Sequence, residues 1–218
     1  MPDAPTSLIP ADRALTETRS GGPLVQRLRF DAGALSLDLL ATIGRRYGTP
    51  VERLTGLEQL QAWIAGVGLD VSGPFEEVDL DRVRSFREDL NGVFRAVLAS
   101  QPPDAAALAS LNEAAARLAS IRVQLSRDGV VLAGSDVPSV ERILGRVAVD
   151  AINVLTGPAQ SRVRECDAPD CRMLYLYRTA HDRRWCSSRH CGNRSRVASH
   201  RSRRQPAESA ATRKASTL

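Results

Sequence analysis

The sequence predicts an α+β fold, in which a mainly helical N-terminal domain with a small antiparallel β component precedes a small four-cysteine module. Three observations lead to this prediction. Apolar residues recur at helical spacing over much of residues 34–156. A stretch near residue 125 alternates apolar and polar residues before a turn, as hairpins do. All four cysteines lie within 26 residues, from Cys166 to Cys191, and the first 165 residues contain none.

Composition sets the limits of the architecture. The chain has 218 residues, 43% of them hydrophobic but only 4% aromatic, so Leu, Val, Ile and Ala must form one core. No run of 18 apolar residues exists, and residues 1–22 lack the basic flank and apolar stretch of a signal peptide. We therefore expect no membrane segment and a cytoplasmic location. The predicted parts are a disordered tail (1–22), a sensory or dimerisation domain (23–158), the cysteine module (159–204) and a second disordered tail (205–218).

The first predicted elements are short. Leu24–Phe30 is a strand candidate, and Ala34–Arg46 is predicted to be helical because Leu35, Leu39 and Ile43 recur at helical spacing. Asp38 interrupts the apolar run of this helix. An exposed helix face explains Asp38 most simply, and a contact with a backbone group or a small ligand is the alternative.

A second short helix is predicted over Leu57–Val67. Leu60 and Ile64 share one of its faces, Trp63 is expected in the core, and glycines 66 and 68 end the helix.

Three longer helices complete the predicted core. Asp79–Ser100 has one apolar stripe and stops before two prolines. Asp104–Ala119 is expected to turn three leucines inward, and Pro138–Thr156 ends at a Gly-Pro pair. The stripe residues are Val83, Phe86, Leu90, Val93 and Val97, then Leu108, Leu111 and Leu118, then Ile143, Val147, Ala151 and Val154. Between the last two helices, Ile121–Ser126 and Val130–Ala133 form the predicted hairpin.

The cysteines occur as two close pairs, Cys166-x4-Cys171 and Cys186-x4-Cys191, separated by 14 residues. Two such pairs can converge on one tetrahedral zinc ion, and four thiolates leave no open position for catalysis. The sequence therefore predicts one structural Zn²⁺ and no enzyme. Disulfides are the competing interpretation, although nothing signals export. His190 is the main rival ligand, ahead of His181 and His200.

Positive charge is concentrated in the same region. Residues 161–218 contain 14 Lys/Arg and five Asp/Glu, a net charge of +9, whereas the whole chain is only +5. The first 160 residues are therefore mildly acidic, at −4. No acidic residue occurs from Arg183 to Arg204, and a helix is predicted from Ser187 or Ser188 onward. This pattern favours phosphate binding over a solvated basic face. The candidate nucleic-acid-binding residues are Arg183, Arg184, Arg189, Asn193, Arg194, Arg196, Arg201, Arg203 and Arg204. Arg172, Arg183 and Arg184 are expected to offset the charge of the metal cluster.

Two segments carry a resemblance to known families. Arg183–Arg194 resembles the CGNR zinc finger, named for the tetrapeptide found here at residues 191–194. Phe30–Gly44 and Leu60–Ile64 are similar to the ABATE domain that usually accompanies that finger. The resemblance covers roughly residues 24–204. It implies bacterial stress-induced transcription regulators whose zinc ligands correspond here to Cys166, Cys171, Cys186 and Cys191.

These observations predict a zinc-dependent regulator that binds duplex DNA through an arginine-rich helix. RNA binding is one alternative, with Tyr175, Tyr177 and Trp185 stacking on bases, although burial is the more common fate of a tryptophan such as Trp185. A protein-interaction scaffold with a small-molecule-binding N-terminal domain is the other. A small-molecule effector and a homodimer are further partners that the sequence leaves open.

Overall fold

The computed structural model of the protein describes residues 26–69, 71, 73–119, 122–126, 129–133, 139–177 and 183–200. Both predicted disordered tails lie outside these residues. The elements of the N-terminal domain are α1 (Leu35–Leu40), β1 (Ile43–Gly44), β2 (Val51–Glu52), α2 (Leu57–Gly66), α3 (Glu77–Leu98), α4 (Ala105–Ala119), β3 (Arg122–Ser126), β4 (Gly129–Ala133) and α5 (Ser139–Thr156). The C-terminal elements are a 3-10 turn (Gln160–Arg162), β5 (Val163–Glu165), β6 (Leu174–Leu176), a π-helical turn (Ser188–Gly192) and a helix, α6, over residues 193–200.

Helices dominate the described chain, and the strands form three separate antiparallel pairs, β1–β2, β3–β4 and β5–β6. The α+β prediction is therefore confirmed. In the predicted hairpin, β3 pairs with β4 in the register Arg122 to Ala133 and Ser126 to Gly129. None of the described helices is both long and apolar enough to cross a lipid bilayer.

The core lies where α3, α4 and α5 pack on one another and on α1. The predicted buried side of α5 is confirmed, as is the stripe of α3 from Val83 to Val93. Trp63 is fully buried in α2, as predicted for a core residue. Small apolar residues contribute much of this core, as expected for a chain with few aromatics.

Helix α4 differs from its prediction at two of the three leucines, since Leu118 is only partly buried and Leu108 is exposed. Leu111 is buried, but Leu108 is 38% exposed, and Ala107 and Ala114 face the core in its vicinity. Helix α5 approaches α4 closely at Gly145, where an added Cβ atom would lie 2.7 Å from Leu118 Cβ and 2.9 Å from the Ala114 carbonyl oxygen.

The predicted strand at Leu24–Phe30 is wrong over its described part. Residues 26–30 form a short turn followed by irregular chain. The side chain of Arg29 points into the protein, and the carbonyl of Ala32 accepts a hydrogen bond from the Leu176 amide at 2.6 Å. This segment is therefore held by contacts with the C-terminal module and not by a sheet.

The helix predicted over Ala34–Arg46 ends early, at Leu40. The hydroxyl of Thr42 donates to the Leu39 carbonyl at 2.7 Å, which competes with continued helix formation. The chain then enters β1, where Gly44 lies against the guanidinium of Arg53; an added Cβ would be 2.5 Å from Nη2. Only glycine permits this approach without a shift of Arg53.

Asp38 is buried, with 1% of its surface exposed, so the exposed-face interpretation was wrong. Its Oδ1 accepts a hydrogen bond from the Ala32 amide at 2.9 Å. The alternative, a contact with a backbone group, is the one that the structure confirms. Asp38 thereby fixes the segment that precedes α1.

Arg87 is buried in α3 and binds Glu52 of β2 through two hydrogen bonds, of 2.8 and 2.6 Å. Burial alone would raise the pKa of Glu52, but the hydrogen bonds and charge of Arg87 outweigh it and hold that pKa below its ordinary value. The pair ties the β1–β2 hairpin to the helical core.

We predict that Gly145→Ala lowers the free energy of unfolding by about 1–3 kcal/mol, because the new methyl overlaps the α4 backbone. Gly92→Ala in α3 is the matched control, since a Cβ there meets nothing within 4 Å. It should raise stability by about 0.5–1 kcal/mol, as glycine is a poor helix interior residue. Denaturant unfolding of both variants measures the difference; equal effects would contradict the proposed α4–α5 contact.

We predict that Glu52→Gln destabilises the protein by about 1–3 kcal/mol at pH 7, because Arg87 loses its charged acceptor. A carboxyl with a lowered folded-state pKa stabilises the fold above its unfolded pKa of about 4.3, and loses this effect as the pH falls further. The difference between the variant and the parent should therefore shrink toward pH 3. Unfolding measured at several pH values tests this, and a constant difference would count against it.

Candidate metal centre

The four cysteines lie together in the C-terminal module. Their Sγ atoms are all within 4.8 Å of one another, and all four side chains are buried. The distances from Cys186 Sγ are 3.8 Å to Cys171 Sγ and 3.6 Å to Cys191 Sγ. The pairs predicted from spacing therefore converge on one point.

These distances fit zinc. Four sulfurs at about 2.3 Å from a tetrahedral ion lie about 3.8 Å apart, whereas a disulfide requires about 2.05 Å. All four cysteines are free. Among the residues that the structure describes, the metal-binding group contains cysteines alone and excludes His190 and His200; His181 lies outside the description. Four thiolates complete the coordination of one structural Zn²⁺.

The first cysteine pair is shaped by the β5–β6 hairpin. The Cys166 amide donates to the Met173 carbonyl at 2.9 Å, directly beyond the paired strands. Between them, the amides of Cys171 and Arg172 both donate to the Ala168 carbonyl, and Arg172 adopts a φ of 46°. Strand β6 pairs with β5, so the hairpin places Cys166 directly after one strand and Cys171 shortly before the other.

The second pair is shaped by the helix that follows it. Ser187 caps the π-helical turn, where its hydroxyl accepts a hydrogen bond from the His190 amide at 3.3 Å. The Gly192 amide donates to the Ser187 carbonyl at 2.9 Å. Cys191 lies inside this turn, so α6 begins two residues after a metal ligand. The helix start predicted at Ser187 or Ser188 is therefore confirmed.

The main positive charge at the sulfurs comes from an unexpected residue, Arg29. Its Nη1 lies 3.2 Å from Cys186 Sγ and 3.3 Å from Met173 Sδ, while Asp31 accepts from its Nε and Nη2 at 2.9 and 2.8 Å. Burial would lower the pKa of Arg29, but the negative charges of Cys186 and Asp31 outweigh it and raise that pKa. Arg29 therefore stays protonated beside the thiolate.

Arg53 adds a second buried guanidinium from the N-terminal domain. Its Nη1 donates to the Ala41 carbonyl at 2.8 Å, and its Nε has no hydrogen-bond partner among the described residues. Burial and the charge of Arg29 lower its pKa to about 10, although the thiolates of Cys171 and Cys186 act in the opposite direction. It remains protonated at neutral pH.

The arginines expected to balance the cluster have other partners. Arg172 binds Glu165 at 2.7 Å, and Arg184 binds Asp167 at 2.8 Å. Arg183 stacks over the Tyr175 ring at 4.6 Å. Nothing in the sequence distinguished Arg29 from the other arginines, because its proximity to Cys186 spans 157 residues.

Cys186 is hydrogen-bonded to the other three cysteines and to Arg29. Hydrogen bonds from the other three thiols, together with the nearby charge of Arg29, lower the pKa of Cys186. A lowered pKa favours the thiolate form, which is the form of cysteine that zinc binds.

The candidate nucleic-acid-binding residues separate into two groups. Arg189, Asn193 and Arg196 are exposed on the π-turn and α6, and Arg183 and Arg184 are exposed just before them. Arg194 instead donates to Asp170 Oδ1 at 2.8 Å and lies 3.7 Å from Cys191 Sγ. Arg201, Arg203 and Arg204 lie outside the described residues.

The aromatic residues beside the cysteines lie mostly inward. Tyr175 is 1% exposed, and its hydroxyl donates to the Arg183 carbonyl. Trp185 is partly buried against the core, and Tyr177 lies under the guanidinium of Arg164 at 5.8 Å. Of the proposed base-stacking set, Tyr175 therefore has no accessible ring.

The C-terminal module is docked on the N-terminal domain by two acidic residues. Asp170 binds Arg194 within the module and lies 3.8 Å from Arg45 after β1, while its carbonyl accepts from the Tyr47 amide at 3.2 Å. Glu165 binds both Arg172 and, at 2.6 Å, Arg95 of α3. Acidic residues outside 183–204 therefore neutralise part of the positive charge of this segment.

A helical α+β domain joined to a four-cysteine zinc finger defines the class of this protein. The family model for the ABATE domain, described as "putative stress-induced transcription regulator", matches residues 33–158, and the CGNR zinc finger model matches residues 162–204. The chain belongs to the ABATE family and carries a CGNR zinc finger that holds one structural Zn²⁺. Domain and finger together make it a zinc-binding regulator. No curated protein is detectably similar to the chain.

We predict that Cys186→Ser prevents stable zinc binding, because it removes the ligand that contacts Arg29 and whose sulfur lies 3.8 and 3.6 Å from those of Cys171 and Cys191. Zinc measured by elemental analysis after dialysis should fall from one ion per chain to well below one. Ser188→Ala, at an exposed position two residues away, is the control and should keep its zinc. A variant at Cys186 with a full zinc complement would contradict the assigned ligand set.

Proposed function

We propose that this protein is a DNA-binding transcription regulator whose zinc ion holds an arginine-rich helix in position to contact duplex DNA. One observation carries the proposal: Arg189, on the π-helical turn that contains the metal ligand Cys191, and Asn193 and Arg196, on α6 directly after that turn, are all exposed. A helix fits the major groove, where arginine recognises guanine and asparagine recognises adenine.

The distribution of charge supports this assignment. Asp170 and Asp167 pair with Arg194 and Arg184, whereas the segment that carries Arg189 and Arg196 has no acidic residue of its own between positions 183 and 204. Arg184 and Arg194 therefore stabilise the finger. The side chains of Arg189 and Arg196 are exposed to solvent. Phosphates of nucleic acid are the polyanion that such a surface attracts.

The remaining parts of the proposal follow from this role. The protein is not an enzyme, since four thiolates leave zinc no position for water. It acts in the bacterial cytoplasm, where the chromosome lies, in response to stress. The N-terminal domain senses a signal, with a small-molecule effector or a homodimer as the means.

We predict that Arg189→Ala and Arg196→Ala each weaken binding to duplex DNA and reduce the slope of log affinity against log salt concentration by about 1, because each removes one phosphate contact. Arg146→Ala, at an exposed arginine of α5, is the matched control and should leave both quantities unchanged. Fluorescence anisotropy with a labelled duplex at several salt concentrations provides the measurement.

Three results would contradict this function. A binding constant that does not respond to salt would exclude phosphate contacts. Preference for RNA over DNA of equal length would favour the RNA-binding alternative. Absence of any nucleic-acid binding by the zinc-loaded protein would leave the scaffold role.

A further inference from the structure

The contact between Arg29 and the metal site joins two parts of the chain. Arg29 precedes α1, and Cys186 lies 157 residues later, in the finger. The side chain is 7% exposed, and its Nη1 donates to Cys186 Sγ at 3.2 Å while Nη2 donates to the Cys186 carbonyl at 3.4 Å. Arg29 therefore contacts a zinc ligand at both its sulfur and its backbone.

Contacts with Asp31 and Met173 fix the orientation of the Arg29 side chain. Asp31 accepts two parallel hydrogen bonds from the guanidinium, so the planar group has one orientation. Met173 Sδ lies against the same Nη1 atom at 3.3 Å. An arginine fixed in this way orients the sulfur that it contacts, as outer hydrogen-bond partners do for other metal ligands.

Charge gives the contact a second effect. Zn²⁺ with four thiolates carries a net charge of −2, and burying such a charge without compensation is costly. Arg29 and Arg53, both 7% exposed, bring two positive charges from the N-terminal domain to this cluster. Without the negative charge of the metal-thiolate cluster, both guanidiniums would still be buried. Asp31 would then be the acidic partner that remains for Arg29.

We propose that Arg29 is a positioning residue of the zinc site, supplied by the N-terminal domain, and that zinc binding and docking of the finger on that domain are therefore linked. Zinc favours the docked state because it holds the sulfurs as thiolates against Arg29. Docking in turn favours zinc because Arg29 stabilises the thiolate of Cys186. The proposal does not depend on nucleic-acid binding.

The zinc affinity of the full chain tests whether Arg29 is a positioning residue of the zinc site. Arg29→Met keeps the apolar stem but removes the charge and the fork of donors, and we expect it to weaken zinc binding about 10–100-fold in competition with a chromogenic chelator. Arg29→Lys keeps the charge alone and should lose less. Arg146→Met, exposed on α5, is the matched control and should bind zinc as the parent does. Parent-like zinc affinity in a folded Arg29→Met protein would overturn the proposal.

Amide hydrogen exchange of the same proteins tests whether zinc binding and docking of the finger are linked. The Leu176 amide, which donates to the Ala32 carbonyl, reports on docking, while amides inside α5 report on the core. Zinc removal and Arg29→Met should both increase exchange at Leu176 and leave α5 protected. Unchanged exchange at Leu176 on zinc removal would refute the linkage.

Asp31→Asn provides a second test if Arg29→Met does not fold. The Asp31 side chain is 35% exposed, so its loss disturbs the core little while it weakens the grip on Arg29. We expect a smaller loss of zinc affinity in the same direction, and parent-like affinity would count against the positioning role.

Discussion

The buried cluster of sulfurs at the end of the chain requires positive charge, and the structure meets this requirement from the other end of the sequence. Arg29 contacts Cys186, and the buried guanidinium of Arg53 interacts electrostatically with the thiolates of Cys171 and Cys186. A thiolate cluster surrounded only by apolar groups would be unstable. The path of the chain before α1 and the early end of that helix both serve to bring these guanidiniums to the metal.

The need for positive charge at the sulfurs explains why the finger packs on the N-terminal domain. The finger has few apolar residues of its own, and several of these, Met173, Leu174 and Tyr175, join the core of the N-terminal domain. Its outer edge is held by Glu165 and Asp170, each of which pairs with an arginine of the finger and approaches one of the N-terminal domain. The finger is consequently a docked part of the protein.

Asp167 and Asp170 divide the arginines of the basic segment between two roles. Arg184 and Arg194 are occupied by Asp167 and Asp170, so they stabilise the finger. Arg189 is exposed on the π-helical turn that contains Cys191, and Arg196 is exposed on α6. The proposed nucleic-acid surface is therefore narrower than the count of arginines indicates, and the metal fixes its position.

Local patterns determined much of this molecule. Periodicity alone placed α2, α3, α5 and the β3–β4 hairpin, and cysteine spacing alone predicted the zinc ligands, because each depends on residues near one another in sequence. The tertiary structure decided what depends on distant contacts: the burial of Asp38, the exposure of Leu108, and the choice of the finger arginines that bind Asp167 and Asp170. Most of all, it selected Arg29 from 29 arginines in the sequence. Charge acts through space, so no pattern within a local window could reveal which guanidinium would reach the sulfur.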